Sequence, residues 1–301
     1  MSGRKARKGS QSRSLSQAQE GGAARGSRGR PRWSADFRDK IAVLIAAVIL
    51  VPLVVATFFT FYRSDQSDEP SAAPTPAGSA REPRAAIVDQ LSLTEPDPAF
   101  VETATRQLEQ AGYAVDYYPG EEVTVEFYRN LATLGHALVI FRVHSALGRN
   151  GDRAADWVTL FTADAFDETR YPEEGVKRTL SRVSYYEDSP PYFGIMPGFI
   201  KSSMLGNFAD AIVIFMGCDG LKSATLAEAF VEKGARTVVA WDGLVSSSHT
   251  DAATERLLQH LLVDGLTVGG AVAQTMAEVG PDPAYGSSIQ LYPPEGVASG
   301  P

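Results

Sequence analysis

The sequence predicts an α/β domain, a mostly parallel sheet with helices on both faces, preceded by one transmembrane helix. Three observations predict it. From about residue 85 onward, short apolar runs rich in β-branched residues alternate with stretches of helical period. Two of these runs, Ala137 to Val143 and Ala211 to Met216, are nearly continuous, as strands covered on both faces are. A third run, from Ile41 to Tyr62, holds 22 residues without a charge.

Residues 1–40 read as a basic cytoplasmic arm. They are rich in Ser, Gly, Gln and Arg and almost lack large apolar residues before Trp33, a composition that predicts disorder. Residues 41–62 read as the transmembrane helix, because 22 residues at about 1.5 Å each span roughly 33 Å, enough for a hydrocarbon core of about 30 Å. Pro52 is tolerated there, and Tyr62 suits an interfacial position. The run is too long, and too far from the start, for a cleaved signal peptide.

Charge sets the orientation. The arm holds eleven Lys/Arg against three acids, a net of +8; with a whole-chain charge of −8, residues 41–301 carry 17 basic against 33 acidic groups, or −16. The positive-inside rule then puts the arm in the cytoplasm and the C-terminal domain outside, in the cell membrane by a single pass. Attraction of the arm to anionic lipid headgroups is the ordinary reading, and no nucleic-acid partner is expected. Residues 63–84, rich in Pro, Ser and Ala, read as an extended linker.

Residues 85–301 are ample for one well-covered domain. Ala85 to Asp89 reads as a first strand, followed by a turn with Pro96 and Pro98. Phe100, Ala104, Leu108 and Ala111 recur at helical spacing, and Gly112 closes that helix. Tyr113 to Tyr118 alternates as a strand does, Val123 to Leu134 makes a second amphipathic helix, and the strand Ala137 to Val143 follows. Residues 148–208 are less regular: Trp157 to Phe161 reads as a strand, and Tyr185 to Tyr192 as a loop or lid. Regularity returns with the strand Ala211 to Met216, a helix from Ser223 to Lys233, and the strand Thr237 to Trp241. Helices from Asp251 to Val263 and from Val268 to Val279 come next, with a last strand over Ser288 to Tyr292.

The two buried runs end in His144-Ser145 and in Gly217-Cys218-Asp219-Gly220. Ligands of open parallel sheets bind beyond the carboxyl ends of the strands, so parallel runs would bring imidazole and thiol to one rim. A thiol is nucleophilic as thiolate, and a nearby imidazole takes its proton. Glycines around Cys218 permit a tight turn, and its N–H together with a donor near Ser145 could form an oxyanion hole. Cys218 is the only cysteine, which excludes an internal disulfide. His249 could line the same site, whereas His136, at the opposite end of its strand, and His260, on an amphipathic helix, read as structural. Four scattered histidines and one cysteine give no metal-ligand spacing. A Walker loop, an early GxGxxG and the Gly-x-Ser-x-Gly elbow of α/β hydrolases are all missing.

A His closing one apolar strand and a Cys closing the next, about seventy residues later, resembles the caspase-like cysteine peptidase clan of caspases, gingipains, legumains, separases and CHAT domains. The text from Phe215 through Gly220, then Leu226 to Ala235 and Thr237 to Trp241, resembles the CHAT and gingipain-like branches, as does the helix–Gly–helix segment from Leu261 to Ala271. The similarity runs from about Ala85 to Val279. It implies a caspase-like sheet, a thiol protease with His144 as general base and acid and Cys218 as nucleophile, no cofactor, and a protein or peptide substrate. Ser145 and Gly217 depart from the clan's pattern, which usually has Gly after the His and Ala or Ser before the Cys. These departures leave a second reading, a silent caspase-like domain serving as a surface binding module. In the clan the primary pocket is read from the ends of the first and third strands and of the strand after the nucleophile. Here those rims offer Asp89, Asp219 and Asp242, with Arg142 the only nearby base, which predicts cleavage after Arg or Lys rather than after Asp, with Asp242 or Asp89 as the reader.

Overall fold

The computed structural model describes residues 82–150, 153–186 and 188–294. The basic arm, the apolar run Ile41 to Tyr62 and all but the last residues of the linker lie outside them. Among the described residues no helix is long and apolar enough to cross a membrane.

Five parallel strands and one antiparallel strand form the main sheet. They are β1 (Arg84–Asp89), β2 (Ala114–Pro119), β3 (Leu138–Arg142), β8 (Ala211–Phe215), β9 (Ala235–Trp241) and the antiparallel β10 (Ile289–Tyr292), in the order β10-β9-β8-β3-β1-β2. Side chains alternate across it. Ala86, Val88, Val139, Phe141, Val213 and Phe215 enter one core, and Ala85, Ile87, Leu138, Ile140, Ile212 and Ile214 the other. Both faces are buried, which is why these strands read as continuous apolar runs rather than alternating ones.

On the second face pack α1 (Pro98–Gln110), α6 (Ser247–Leu258) and α7 (Val268–Glu278). Asp97 caps α1, its carboxylate accepting from the N–H groups of Ala99 and Phe100, and Gly112 follows the helix at φ 85°, a conformation costly for any residue with a Cβ. On the first face pack α2 (Val125–Asn130), α4 (Pro197–Ser202) and α5 (Thr225–Glu232). Beneath β3 and β8 the Phe141 ring stacks on Phe215 at 4.8 Å, and Phe230 of α5 meets both edge-on. Each such buried ring contributes about 1.5–3 kcal/mol, so the two strands that lead to the site are tied to each other from below.

The irregular stretch folds as a second, antiparallel sheet. β4 (Ser145–Asn150) and β5 (Arg153–Ala165) form a hairpin; α3 (Pro172–Lys177), β6 (Leu180–Val183) and β7 (Tyr192–Ile195) follow, in the order β4-β5-β7-β6. Its inner face, with Val158, Leu160, Phe193 and Ile195, joins the first core. The Trp157-to-Phe161 strand is thus real but 13 residues long. Tyr192, expected in a loop, opens β7.

Candidate active site

β3 and β8 are adjacent and parallel, with Phe141 opposite Phe215. The Met216 N–H donates to the Phe141 carbonyl at 2.9 Å, extending the ladder past the strand ends. His144 and Cys218 each stand three residues beyond the paired phenylalanines, and they line one cavity of about 130 Å³ at that rim. Leu91, Val143, Met216 and Val245 make its apolar walls; Glu95 and Thr250 are its nearby polar ones.

Neither reactive group points freely. His144 Nε2 shares a hydrogen bond of 2.8 Å with the Thr94 hydroxyl. Its ring lies 5.2 Å from that of Tyr185 and 5.8 Å from that of Phe161, measured between centroids, and the His144 backbone N–H donates to Gln90 Oε1 at 3.0 Å. The Cys218 thiol donates to the Val245 carbonyl at 3.6 Å. Burial pushes the His144 pKa down, helped by Arg142 and opposed by Glu95. Burial pushes the Cys218 thiol up, and so do the negative charges of Asp219, Asp282 and Glu95. Both shifts favour the neutral thiol and neutral imidazole over a thiolate–imidazolium pair.

Ser145 and Gly217 meet. A Cβ on Gly217 would collide with the Val143 carbonyl and the Ser145 hydroxyl, and that hydroxyl donates to the Cys218 carbonyl at 2.6 Å. The two departures from the clan's pattern therefore occupy one space, the serine filling what the glycine leaves open. Ser145 sits in β4 with no positive φ; the left-handed residue of this turn is Asp219, at φ 58°. Asp219 is held by its N–H donating to the Gly243 carbonyl at 2.8 Å and by its carboxylate accepting from the Leu147 N–H.

The other expected acids are placed differently. Asp89 is 1% exposed; its carboxylate takes Arg142 at 2.9 Å, the Ser92 N–H and the Tyr117 hydroxyl, and it does not line the cavity. Asp242 accepts from the Ser288 N–H at 2.9 Å and borders a separate hollow with Lys222. His249 bonds the Gly280 carbonyl at 3.2 Å and stands outside the cavity, although Ser247 and Thr250 on the same helix line it. His136 pairs with Asp116 and His260 with Asp264 and Glu278. Among the described residues no group of three His, Cys, Asp or Glu is placed to hold a metal ion.

Sequence reasoning passed over Gln90, Thr94 and Glu95, which follow β1 on the same rim; the rule that ligands gather beyond strand carboxyl ends pointed there. It also passed over Asp282, which is 1% exposed and accepts from the Ser246 hydroxyl and N–H and from the N–H groups of Ala284 and Tyr285. Burial raises that carboxyl, and the four hydrogen bonds outweigh it, holding its pKa at about 2. No protein-family model matches the chain, and no curated protein matches it in sequence.

Proposed function

We propose that the domain is a cysteine endopeptidase of the caspase-like kind, held outside the membrane by residues 41–62. The observation that carries this reading is that His144 and Cys218 leave neighbouring parallel strands in register and line one cavity. With both groups neutral at rest, the proton moves only as the bond forms. The Cys218 sulfur attacks the scissile carbonyl while its proton passes to His144. The tetrahedral oxyanion meets the Cys218 N–H, the imidazolium protonates the leaving amine, and water then hydrolyses the thioester with His144 as base. Glu95 at the cavity wall and Asp219 beside the nucleophile favour a cationic side chain before the scissile bond, hence cleavage after Arg or Lys.

One observation favours the second reading, a silent module that binds peptides. The Thr94 hydroxyl takes His144 Nε2, and the Val245 carbonyl takes the thiol. A silent site has no need to release either.

Labelling with peptidyl acyloxymethyl ketones decides between them. An Arg-bearing probe is expected to label Cys218, and an Asp-bearing one poorly. His144→Ala should slow labelling by about 10²-fold or more. Because the thiol is pushed up, simple alkylation by iodoacetamide should keep accelerating above the ordinary thiol pKa of about 8.5. Labelling indifferent to His144→Ala would leave the binding module as the reading.

A further inference from the structure

Gln90 opens a short 3-10 turn, Gln90–Leu93, immediately after β1, and is 0% exposed. Its neighbour Asp89 turns to Arg142 and the helices of the second face, whereas Gln90 turns towards the antiparallel sheet. A buried amide is costly unless its groups are bonded, and here both ends are. Oε1 accepts from the His144 backbone N–H at 3.0 Å, and Nε2 donates to the Tyr185 hydroxyl at 2.6 Å. Because a backbone N–H can only donate, the oxygen is the end of the amide that faces His144.

This bond stands in for one of a ladder. Ser145 opposes Leu160 in the β4–β5 pair, so His144 opposes Phe161. A hydrogen-bonded antiparallel pair exchanges two bonds. Here the Phe161 N–H donates to the His144 carbonyl at 2.9 Å, but the His144 N–H goes to Gln90, and the Phe161 carbonyl takes the Tyr128 hydroxyl at 3.4 Å. The main chain thus leaves the second sheet at His144 and is caught by the end of β1. The other end of the amide reaches the imidazole from its face. Tyr185, between β6 and β7, donates its hydroxyl to the Thr162 carbonyl of β5 at 3.3 Å and sets its ring 5.2 Å from that of His144. Tyr192 and Phe161 back the Tyr185 ring at 4.7 and 5.7 Å.

We propose that Gln90 is a positioning residue for the imidazole, a single buried amide that fixes the His144 main chain directly and the His144 ring through Tyr185. The Thr94 hydroxyl holds one ring nitrogen, but only the bond to Oε1 sets where the backbone of His144 stands. Gln90 itself does not line the cavity. The inference rests on the proposed Cys–His chemistry, in which His144 takes a proton from Cys218 and returns it to the leaving amine. A displacement of about 1 Å in such a geometry costs on the order of 10²-fold in rate.

The test uses the full chain in detergent micelles with isotope-labelled histidine, the His144 ring signal being identified by its loss in His144→Ala. Gln90→Leu removes both bonds of the amide. Labelling of Cys218 by the Arg-bearing ketone should slow by about tenfold or more, while alkylation by iodoacetamide, which needs no imidazole, should stay near the parent rate. The His144 ring signal should shift and those of His136, His249 and His260 stay in place. Gln90→Glu offers one oxygen to the His144 N–H and, ionised or protonated, bonds Tyr185 with the other, so it should keep most of the parent's ratio of the two rates. Where Gln90→Leu unfolds, Tyr185→Phe carries the test: it drops the hydroxyl, keeps the ring, and should slow the ketone and move the His144 signal less far. Equal slowing of both reagents, a Glu variant no faster than the Leu variant, or a His144 signal unmoved in Gln90→Leu and Tyr185→Phe would overturn the proposal. Parent labelling that ignores His144→Ala, with the ring signal still displaced in Gln90→Leu, would end the peptidase and leave the positioning role standing.

Discussion

Arg142 fixes the rim more directly than any other residue. Its guanidinium, 1% exposed, joins Asp89 at the end of β1, both carboxylate oxygens of Asp251 on α6, and the Glu95 carbonyl. It thus binds two strands, a helix and a cavity-lining loop two residues before His144. Burial opposes its charge, but bonds to Asp251 and Asp89 prevail and keep it protonated; Asp251 is in turn pushed up by burial. Arg142→Met would leave two buried carboxylates without their compensating cation, and thermal or urea unfolding should show a loss of about 3–5 kcal/mol. Adding Asp89→Asn and Asp251→Asn should restore a large part of it; a single variant as stable as the parent would show that the cluster does not hold the rim. Strand ends made Asp89 and Asp242 visible as acids at the right rim, but not which neighbour claims each carboxylate. Asp251, the partner that ties up Arg142, lies 109 positions away, beyond the reach of any local pattern.

The elements differ in how much the sequence disclosed, and the difference follows burial. β1, β3, β8 and β9 are covered on both faces, so each is a compact apolar run, and α1 and α5 end in glycines whose φ is positive. In the second sheet β6 and β7 have four residues each, and Arg182 and Gly194 interrupt them. Neither β6 nor β7 is long enough to show a period. The start of α6 depends on an equally unlocal residue. The side chain of Ser246, its N-cap, accepts from no N–H of its own helix; its hydroxyl instead donates to Asp282 at 2.6 Å. Val245 and Ser247, on either side, line the cavity. Asp282→Asn keeps the shape and loses the charge, and should cost about 1–3 kcal/mol at neutral pH. The folded pKa of about 2 lies below the unfolded value of about 3.9, so this stability is complete above about pH 4 and is lost as pH falls towards 2. Unfolding curves of parent and variant should therefore converge on acidification. A constant gap down to pH 2 would place the effect elsewhere than in this carboxylate.

At the scale of the whole chain, the proposed function needs the catalytic rim on the side where its substrate is, and the sequence bears on sidedness through its charge. The arm before Ile41 carries +8, and everything after it −16. Lys and Arg near a span resist translocation, whereas a folded acidic domain crosses largely regardless of its carboxylates. The linker holds four prolines in residues 63–84 and no long apolar side chain between Arg63 and Arg84, the composition of segments that proteases cut readily. Protease added to intact cells should therefore release or digest the domain and spare an epitope placed on the arm. The same treatment after lysis should remove both. Replacing the arm's Arg and Lys by Gln should weaken the preference and leave a fraction of chains with the domain protected. A parent chain whose domain resists protease until lysis would reverse the topology, and with it the side of the membrane on which a substrate of His144 and Cys218 has to be sought.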